Sequence, residues 1–416
     1  MSSDLRSSGT RAMIRCLLLA SLLVAACVTA AAQRNQDSLR EGTPAWFADC
    51  MGRAAMLPDS IRCQQFIENV VGRLARRHAA IVADSTVYFV YAGHAARVSV
   101  PSDLNGWDLA ADTMTRFGNT YLFYLRKTLP QAARFEYKLV VDSSWILDPF
   151  NEQTATGGFG PNSEIRMPSY SPPTEIVYRE HIPHGRIDTI AFASAKLGRT
   201  HPVFIYLPPG YENSAKAYAV LFVTDGGEYL SLGLMNNVLD NMIADRRIAP
   251  LVAVFLEPRT DSNNSRTSMR MTDYAMSETF LSYLTDELRP FLSHRYRLDA
   301  HPARTGIMGA SLGALIATYA AIRRPDVFGF CAAQSPAYQV GHDSVFTVVA
   351  STPKQAIRFY LDTGTIRDAQ EQARKMKRLL QSKGYPVTYA EYPEGHNWVN
   401  WRARIPGILT FLGGTQ

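Results

Sequence analysis

Three patterns of apolar and polar positions succeed one another along the chain. Over residues 38–82 the apolar side chains recur at helical spacing, as in Phe66, Ile67, Val70, Val71 and Leu74, with Pro44 and Pro58 as breaks. This predicts a small helical lead-in. Over residues 84–170 the apolar positions gather into short runs at 86–91, 97–100, 121–125 and 135–141, separated by the turn clusters Asn105-Gly106, Gly118-Asn119 and Asp142-Ser143-Ser144. Evenly spaced strands without helices between them predict an all-β sandwich. Pro168-Ser169-Tyr170-Ser171-Pro172-Pro173 reads as a linker. From 174 to 416, apolar strands at 203–207, 219–223, 251–256, 306–308 and 358–361 alternate with helical runs. Alternation of that kind predicts a parallel sheet covered by helices on both faces. The fold class expected is therefore α/β, preceded by an all-β domain.

The first 32 residues stand apart. Arg6, Arg11 and Arg15 precede the apolar run 16–27, and small residues lead to Ala30-Ala31-Ala32-Gln33. A charged start, a short apolar core and an A-x-A site predict a secretory signal peptide over residues 1–32, and an exported protein. Val24-Ala25-Ala26-Cys27 also resembles a lipoprotein cleavage motif, so a lipid anchor at Cys27 is the alternative to a cleaved, periplasmic or secreted form. No later stretch reaches 18 uninterrupted apolar residues, so no membrane span is expected.

Composition changes this picture little. With 46% hydrophobic and 19% charged residues the chain is globular, and disorder or coiled coil is excluded for the whole. The net charge of +6 comes from dispersed arginine with no run of five like charges, which argues against a nucleic-acid partner. Beyond the leader three cysteines remain. Cys50 and Cys63 either form a disulfide across a helical hairpin or stay as two buried thiols. Cys331 lies in an apolar strand and reads as an inert core residue. No H-x-x-x-H or C-x-x-C occurs, so neither metal nor cofactor is expected.

The chemistry lies in the last segment. Gly309-Ala310-Ser311-Leu312-Gly313 follows a strand and precedes a helix of small residues. This is G-x-S-x-G in the strand–turn–helix setting of a nucleophile elbow, where tight packing of the glycines lifts the serine hydroxyl above the sheet. A serine needs a base. Of nine histidines only His342 and His396 follow Ser311, as the chain order of α/β-hydrolases demands. His396 sits just beyond the last strand and is the candidate; His342 reads as a surface residue. The acid that orients the imidazole should project from the carboxyl edge of the sheet. Asp368 fits, in the loop beyond the strand at 358–361, with Asp362 as the alternative. For the oxyanion, the backbone amides of Gly227 or Gly226, after the strand at 219–223, would join that of Leu312. Arg270, in Arg270-Met271-Thr272-Asp273-Tyr274, either contacts a substrate or pins its loop through an Arg–Asp pair.

Together Asp225-Gly226-Gly227-Glu228-Tyr229, the elbow, Pro325-Asp326-Val327-Phe328-Gly329, Gln334-Ser335-Pro336 and Gly395-His396-Asn397-Trp398-Val399-Asn400-Trp401-Arg402 resemble an esterase family. It includes enterochelin esterases, the feruloyl and acetylxylan esterases of carbohydrate esterase family 1, esterase D and the mycolyltransferases. The likeness covers about residues 175–415. It implies Ser311 as nucleophile, His396 as base and Asp368 as acid. Two departures stand out: the family's Gly-His-Asp-Trp reads Gly-His-Asn-Trp here, and one extra residue precedes Asp368. Residues 84–170 resemble the early-set immunoglobulin-like domain related to carbohydrate-binding module 48, through Asn105-Gly106-Trp107, the 136–142 run, Trp145 and Asp148-Pro149. That resemblance implies Trp145 and Lys138 as candidate glycan contacts, while Trp107 reads as a sandwich-core residue.

The chain is thus expected to be a serine esterase acting on a small-molecule or oligosaccharide ester, with carbohydrate-linked feruloyl or acetyl esters first. The alternatives are a siderophore (enterochelin-type) trilactone esterase, or a glycan- or surface-binding protein whose hydrolase domain does no chemistry. The domains expected are the signal peptide 1–32, helical lead-in 38–82, sandwich 84–170 and hydrolase 174–416.

Overall fold

A computed structural model describes residues 40–158, 160–262 and 265–413. The signal peptide and the lipidation site at Cys27 lie outside the described residues. In chain order the elements begin with α1 (Pro44–Ala55), α2 (Ser60–Ala75), β1 (Ile81–Ala83), β2 (Thr86–Ala92), β3 (Val98–Ser99), β4 (Thr115–Arg116), β5 (Leu122–Thr128), β6 (Arg134–Tyr137), β7 (Leu139–Val141), β8 (Ser144–Ile146), β9 (Thr154–Gly157) and β10 (Gly160–Arg166). Then follow β11 (Arg186–Ser194), β12 (Arg199–Leu207), β13 (Ala219–Thr224), α3 (Gly226–Ser231), α4 (Met235–Ala244), β14 (Leu251–Leu256), β15 (Arg259–Ser262), β16 (Ser265–Ser268), α5 (Arg270–Tyr274), α6 (Glu278–Ser282) and α7 (Arg289–Arg295). The last are β17 (Thr305–Ala310), α8 (Leu312–Arg323), β18 (Phe330–Gln334), α9 (Ser344–Ser351), β19 (Arg358–Gly364), α10 (Gln370–Ser382), β20 (Val387–Tyr392) and α11 (Trp398–Gly413).

The chain divides into two compact units, and the division interleaves. One unit takes the chain up to Val100 with Leu109–Gln131 and Leu139–Gln153; the other takes Pro101–Asp108, Ala132–Lys138 and everything from Thr154 on. In the first, α1 and α2 begin at capped ends. Thr43 Oγ1 accepts the Trp46 N–H, with Pro44 fixing the first turn, and Asp59 accepts the Arg62 N–H at 2.7 Å. Their apolar stripes (Phe47, Cys50, Ile67, Val70, Leu74) pack on Ile81, Val90 and Leu122 of the sheet β1-β2-β5-β4. Cys50 and Cys63 are both free thiols, which settles the open choice in this structure against a disulfide.

The expected sandwich boundary at 84–170 does not match this division. The run at 135–141, read as one strand, is broken at Lys138: β6 pairs with β10, whereas β7 pairs with β3. The Lys138 N–H leaves both ladders for Pro101 O at 3.0 Å. Hence β6, β9 and β10, with the turn at 101–108, belong to the second unit. Trp107 is corrected too. It is half-buried rather than core, sits at φ 64°, and donates from Nε1 to Asp103 Oδ1 at 3.2 Å.

The second unit is built on an eight-stranded sheet of order β11-β12-β14-β13-β17-β18-β19-β20. From β14 to β20 neighbours run parallel, as expected; β11 and β12 add an antiparallel hairpin at one edge. Alternate residues of β13 serve opposite faces. Val220 and Phe222 join Val252, Ile307 and the small residues of α8 in one core, while Leu221 and Val223 join Phe255, Met308 and the α4 and α11 side chains in another. A sheet buried on both faces is why these strands read as unbroken apolar runs. Cys331 is buried in the first of these cores, where desolvation pushes its thiol up to about 12, so it is inert at neutral pH.

Candidate active site

The loops at the carboxyl ends of β13, β17, β19 and β20 carry Gly226 and Gly227, Ser311 and Leu312, Asp368, and His396 in turn. Ser311 follows β17 and caps α8 with φ 57° and ψ −118°, a conformation costly for any residue with a Cβ. The glycines on either side hold it there by close approach. A Cβ on Gly309 would lie 2.0 Å from Thr224 Oγ1 and 2.5 Å from the Gly313 backbone, and one on Gly313 would lie 2.2 Å from the same hydroxyl oxygen. Strand and helix therefore pack as only glycine allows, and the Ser311 side chain stands half-exposed above the sheet.

His396, in the loop after β20, directs Nδ1 at Asp368 Oδ1 at 2.7 Å. The Asp368 carboxylate is fully buried, while the imidazole is exposed over 40% of its side chain. Four other donors hold Asp368: the N–H of Ala369 (2.7 Å) on Oδ1, and Ser335 Oγ (2.6 Å), the Gly364 N–H (2.5 Å) and Thr363 Oγ1 (3.3 Å) on Oδ2. Burial pushes this carboxyl up, but the His396 hydrogen bond and charge, with Ser335 and Gly364, outweigh it and leave it below its ordinary value. Asp362, the alternative acid, is placed differently. It is fully buried inside β19, its Oδ2 faces Gln334 Nε2 at 3.4 Å, and desolvation raises it to about 8 against the pull of Arg404. Burial thus favours its neutral form, and among the described residues it makes no hydrogen bond to His396.

The oxyanion amides divide in the same way. The Gly227 N–H donates to Glu257 Oε2 at 3.1 Å and is committed to that carboxylate. The N–H groups of Gly226 and Leu312 open α3 and α8 as their first residues, so neither has an intrahelical acceptor. Such an arrangement can take a proton from a hydroxyl, hold the resulting imidazolium, and receive an oxyanion.

The profile of the family described as Putative esterase matches residues 194–412. The chain belongs to this family. It is a carboxylic ester hydrolase of the α/β class. Its relatives include the endo-1,4-beta-xylanase/feruloyl esterase of Xylanibacter ruminicola, 28% identical over 47% of this chain and 27% of that longer protein. The uncharacterised protein YjcH of Bacillus subtilis is 23% identical over 54% of this chain and 97% of its own length. Among solved structures, the enterobactin esterase FES from Shigella flexneri in the presence of enterobactin superposes with a TM-score of 0.68 at 19% identity, covering 82% of this chain and 97% of that one.

Within the esterase, Arg270 takes the second of the two roles open to it. Its guanidinium grips Asp225 through two hydrogen bonds (2.7 and 2.9 Å) and donates to Ala310 O at 3.1 Å. The pair thus ties the loop after β13 to the residue before Ser311. Burial raises the Asp225 carboxyl and Arg270 opposes it. His342 is exposed, as expected. Trp145 is 48% exposed on β8, and Lys138 is half-buried in the other unit. Among the described residues no group of histidine, cysteine and carboxylate side chains is arranged to hold a metal ion. No helix among them is long and apolar enough to cross a membrane.

Sequence reasoning missed several supports. Ser335, at φ 41°, stands between Asp368 and Trp401, whose Nε1 donates to its hydroxyl at 3.0 Å. Trp401 also meets the His396 ring edge-on at 5.0 Å. Gln334-Ser335-Pro336 carried the family likeness, but nothing local in it tells that Ser335 would face an aspartate 33 residues on. Gln334 itself joins Tyr229 and the Trp401 carbonyl beneath the site.

Proposed function

We propose that this esterase is an exported serine hydrolase. Ser311 attacks the ester carbonyl, and His396 takes its proton and returns it to the leaving alcohol. Asp368 holds the imidazole in the tautomer that leaves Nε2 free to accept, and the amide of Gly227 or Gly226, with that of Leu312, receives the oxyanion of the tetrahedral intermediate. One observation carries the assignment: the 2.7 Å bond from the exposed imidazole of His396 to a carboxylate that four further donors keep ionised. The enzyme needs no metal or organic cofactor for this chemistry.

The substrate reading is a carbohydrate-linked feruloyl or acetyl ester, supported by the likeness to a xylanase/feruloyl esterase. A second reading, a siderophore trilactone, is favoured by the enterobactin esterase structures, whose likeness extends beyond the catalytic unit over about four-fifths of this chain. Initial rates on methyl ferulate, acetylated xylan and a catecholate trilactone separate the two. The reading expects turnover of the first pair to exceed that of the trilactone; the reverse order establishes the second. Export is tested at the N-terminus of the protein recovered outside the cytoplasm. Mass analysis should find Gln33, or a lipid-modified Cys27, and an intact Met1 would defeat it. For Trp145 the expected partner is a glycan, read by retardation on polysaccharide.

A further inference from the structure

The residue after the base is held from far away in the chain. Asn397 caps α11, its Oδ1 accepting the Asn400 N–H at 3.1 Å. The same oxygen accepts from Arg134 Nη1 at 2.9 Å, and Nδ2 donates to Asp103 Oδ2 at 2.9 Å. Asp103 is in turn fixed by the Glu136 N–H (2.9 Å) and by Trp107 Nε1 (3.2 Å). The Arg134 N–H also donates to Pro393 O at 3.0 Å, three residues before His396. Gly395 leaves room for this, since a Cβ there would lie 2.6 Å from Asp103 Cγ. The oxygen of Asn397 therefore faces two donors and its nitrogen faces a carboxylate. Only a carboxamide satisfies both sides. A carboxylate at 397 would set two acceptors against each other at hydrogen-bond distance.

We propose that Asp103 and Arg134 are positioning residues for the general base, fixing through Asn397 the loop that aims His396. Neither touches substrate. The inference rests on the reading of Ser311, His396 and Asp368 as the triad. The surroundings are charged on every side: Arg134 also pairs with Glu136 (2.9 Å) and Glu164 (2.5 Å), Asn162 donates to Glu136 (2.7 Å), Arg166 lies 2.8 Å from Glu164, and Arg404 holds Glu394. Burial, with the Glu136 charge, raises Asp103 to about 6, opposed by the Glu136 N–H, Arg134 and Trp107. At neutral pH Asp103 is therefore mostly ionised, and an aspartate at 397 would meet it as a second anion.

The test uses the full chain and its esterase activity across pH, each variant read as a ratio to wild type. Asn397→Asp should lower kcat by about 10²-fold near pH 8 with KM little changed, because a displacement of the base is felt in the chemical step. That deficit should narrow to about 10-fold near pH 6, where one carboxyl of the facing pair takes a proton and bridges the other. Asp103→Asn/Asn397→Asp should remove the pH dependence and recover most of the loss, although the Glu136 N–H then loses its acceptor. Asp103→Asn alone, the milder change should Asn397→Asp fold poorly, should lower kcat by about 3–10-fold at constant KM. A wild-type kcat and pH profile in Asn397→Asp, or a double variant with the single variant's deficit and pH dependence unchanged, overturns the proposal. Ser311→Ala run alongside keeps the two readings apart. Activity surviving that change defeats the triad, whereas activity lost there but untouched in Asn397→Asp defeats only the positioning role.

Discussion

The carboxyl edge of the eight-stranded sheet and the face of β8 both present side chains to solvent, yet they are built in opposite ways. At the sheet edge each exposed group stands on buried ones: His396 on Asp368, Asp368 on Ser335, Ser335 on Trp401. On β8, Trp145 projects 48% exposed with no such support beneath it among the described residues, and Leu147 close by is also exposed. Bond-making chemistry depends on angles and fractions of an ångström, so its groups need fixed partners. Stacking on a flat ligand asks only for an accessible ring. The density of support under a residue thus separates a place for chemistry from a place for contact.

The largest expected effects test the first half of that contrast. Ser311→Ala should abolish ester turnover by roughly 10⁴–10⁶-fold, and His396→Ala by about as much, with the double variant little worse, because nucleophile and base act as a unit. The thermal midpoint of Ser311→Ala should stay near wild type, since a half-exposed hydroxyl contributes little packing. If either variant turns over ester at ordinary rates, the supported edge is not where the chemistry happens. Asp368→Asn comes next, at about 10²–10⁴-fold in kcat, by leaving His396 in the wrong tautomer. Asp362→Asn, measured alongside, should cost less than about 10-fold, because a neutral carboxyl buried against Gln334 has no imidazole to orient. Were Asp362→Asn the more damaging of the two, the acid would have to be reassigned.

These residues differ in how far the sequence reveals them. The elbow is local: five residues fix the turn, and the flanking strand and helix announce themselves by composition. His396 follows from chain order and a scarcity of histidines. Sequence order favours Asp368 but keeps Asp362, six residues before it, as an alternative, because one-dimensional order does not tell that β19 runs on to Gly364 and buries Asp362 within its ladder. Nor does sequence order tell that the Gly227 N–H meets Glu257, 30 residues away. The parallel sheet was legible from unbroken apolar strands, whereas the β6–β7 run was not, because a strand that changes sheets at Lys138 keeps its apolar pattern through the break. Arg134-Phe135-Glu136-Tyr137 alternates charged and apolar side chains. All four are buried, and their partners come from Glu164 and Asn397.

The smaller effects concern stability and the unsupported face. Asp362 has a folded-state value of about 8 against an ordinary 3.8. Between those two values the folded chain holds a proton that the unfolded chain has lost, so the stability this group contributes is complete below about pH 4 and is lost as pH rises through about 8. Asp362→Asn, which cannot ionise, should flatten that part of the curve of thermal midpoint against pH. A variant whose midpoint falls across this window as steeply as wild type would show that Asp362 is ionised in the fold.

Trp145→Ala is the smallest change expected, and the one that decides what the face of β8 is for. Removing a half-exposed side chain from the edge strand of a three-stranded sheet leaves little cavity, so stability should move by no more than about 0.5–1 kcal/mol. Turnover of a small soluble ester such as p-nitrophenyl acetate should be unchanged, since such an ester offers no sugar face for an indole to stack on. A flat indole stacking on a pyranose is the interaction at stake, and its loss should reduce retardation on a polysaccharide gel and slow hydrolysis of a polymer-borne ester while leaving the soluble one alone. If polymer and soluble substrates respond alike, and retardation is that of wild type, Trp145 is an ordinary exposed aromatic. The contrast between supported and unsupported side chains would then mark only the active site, with no second binding face.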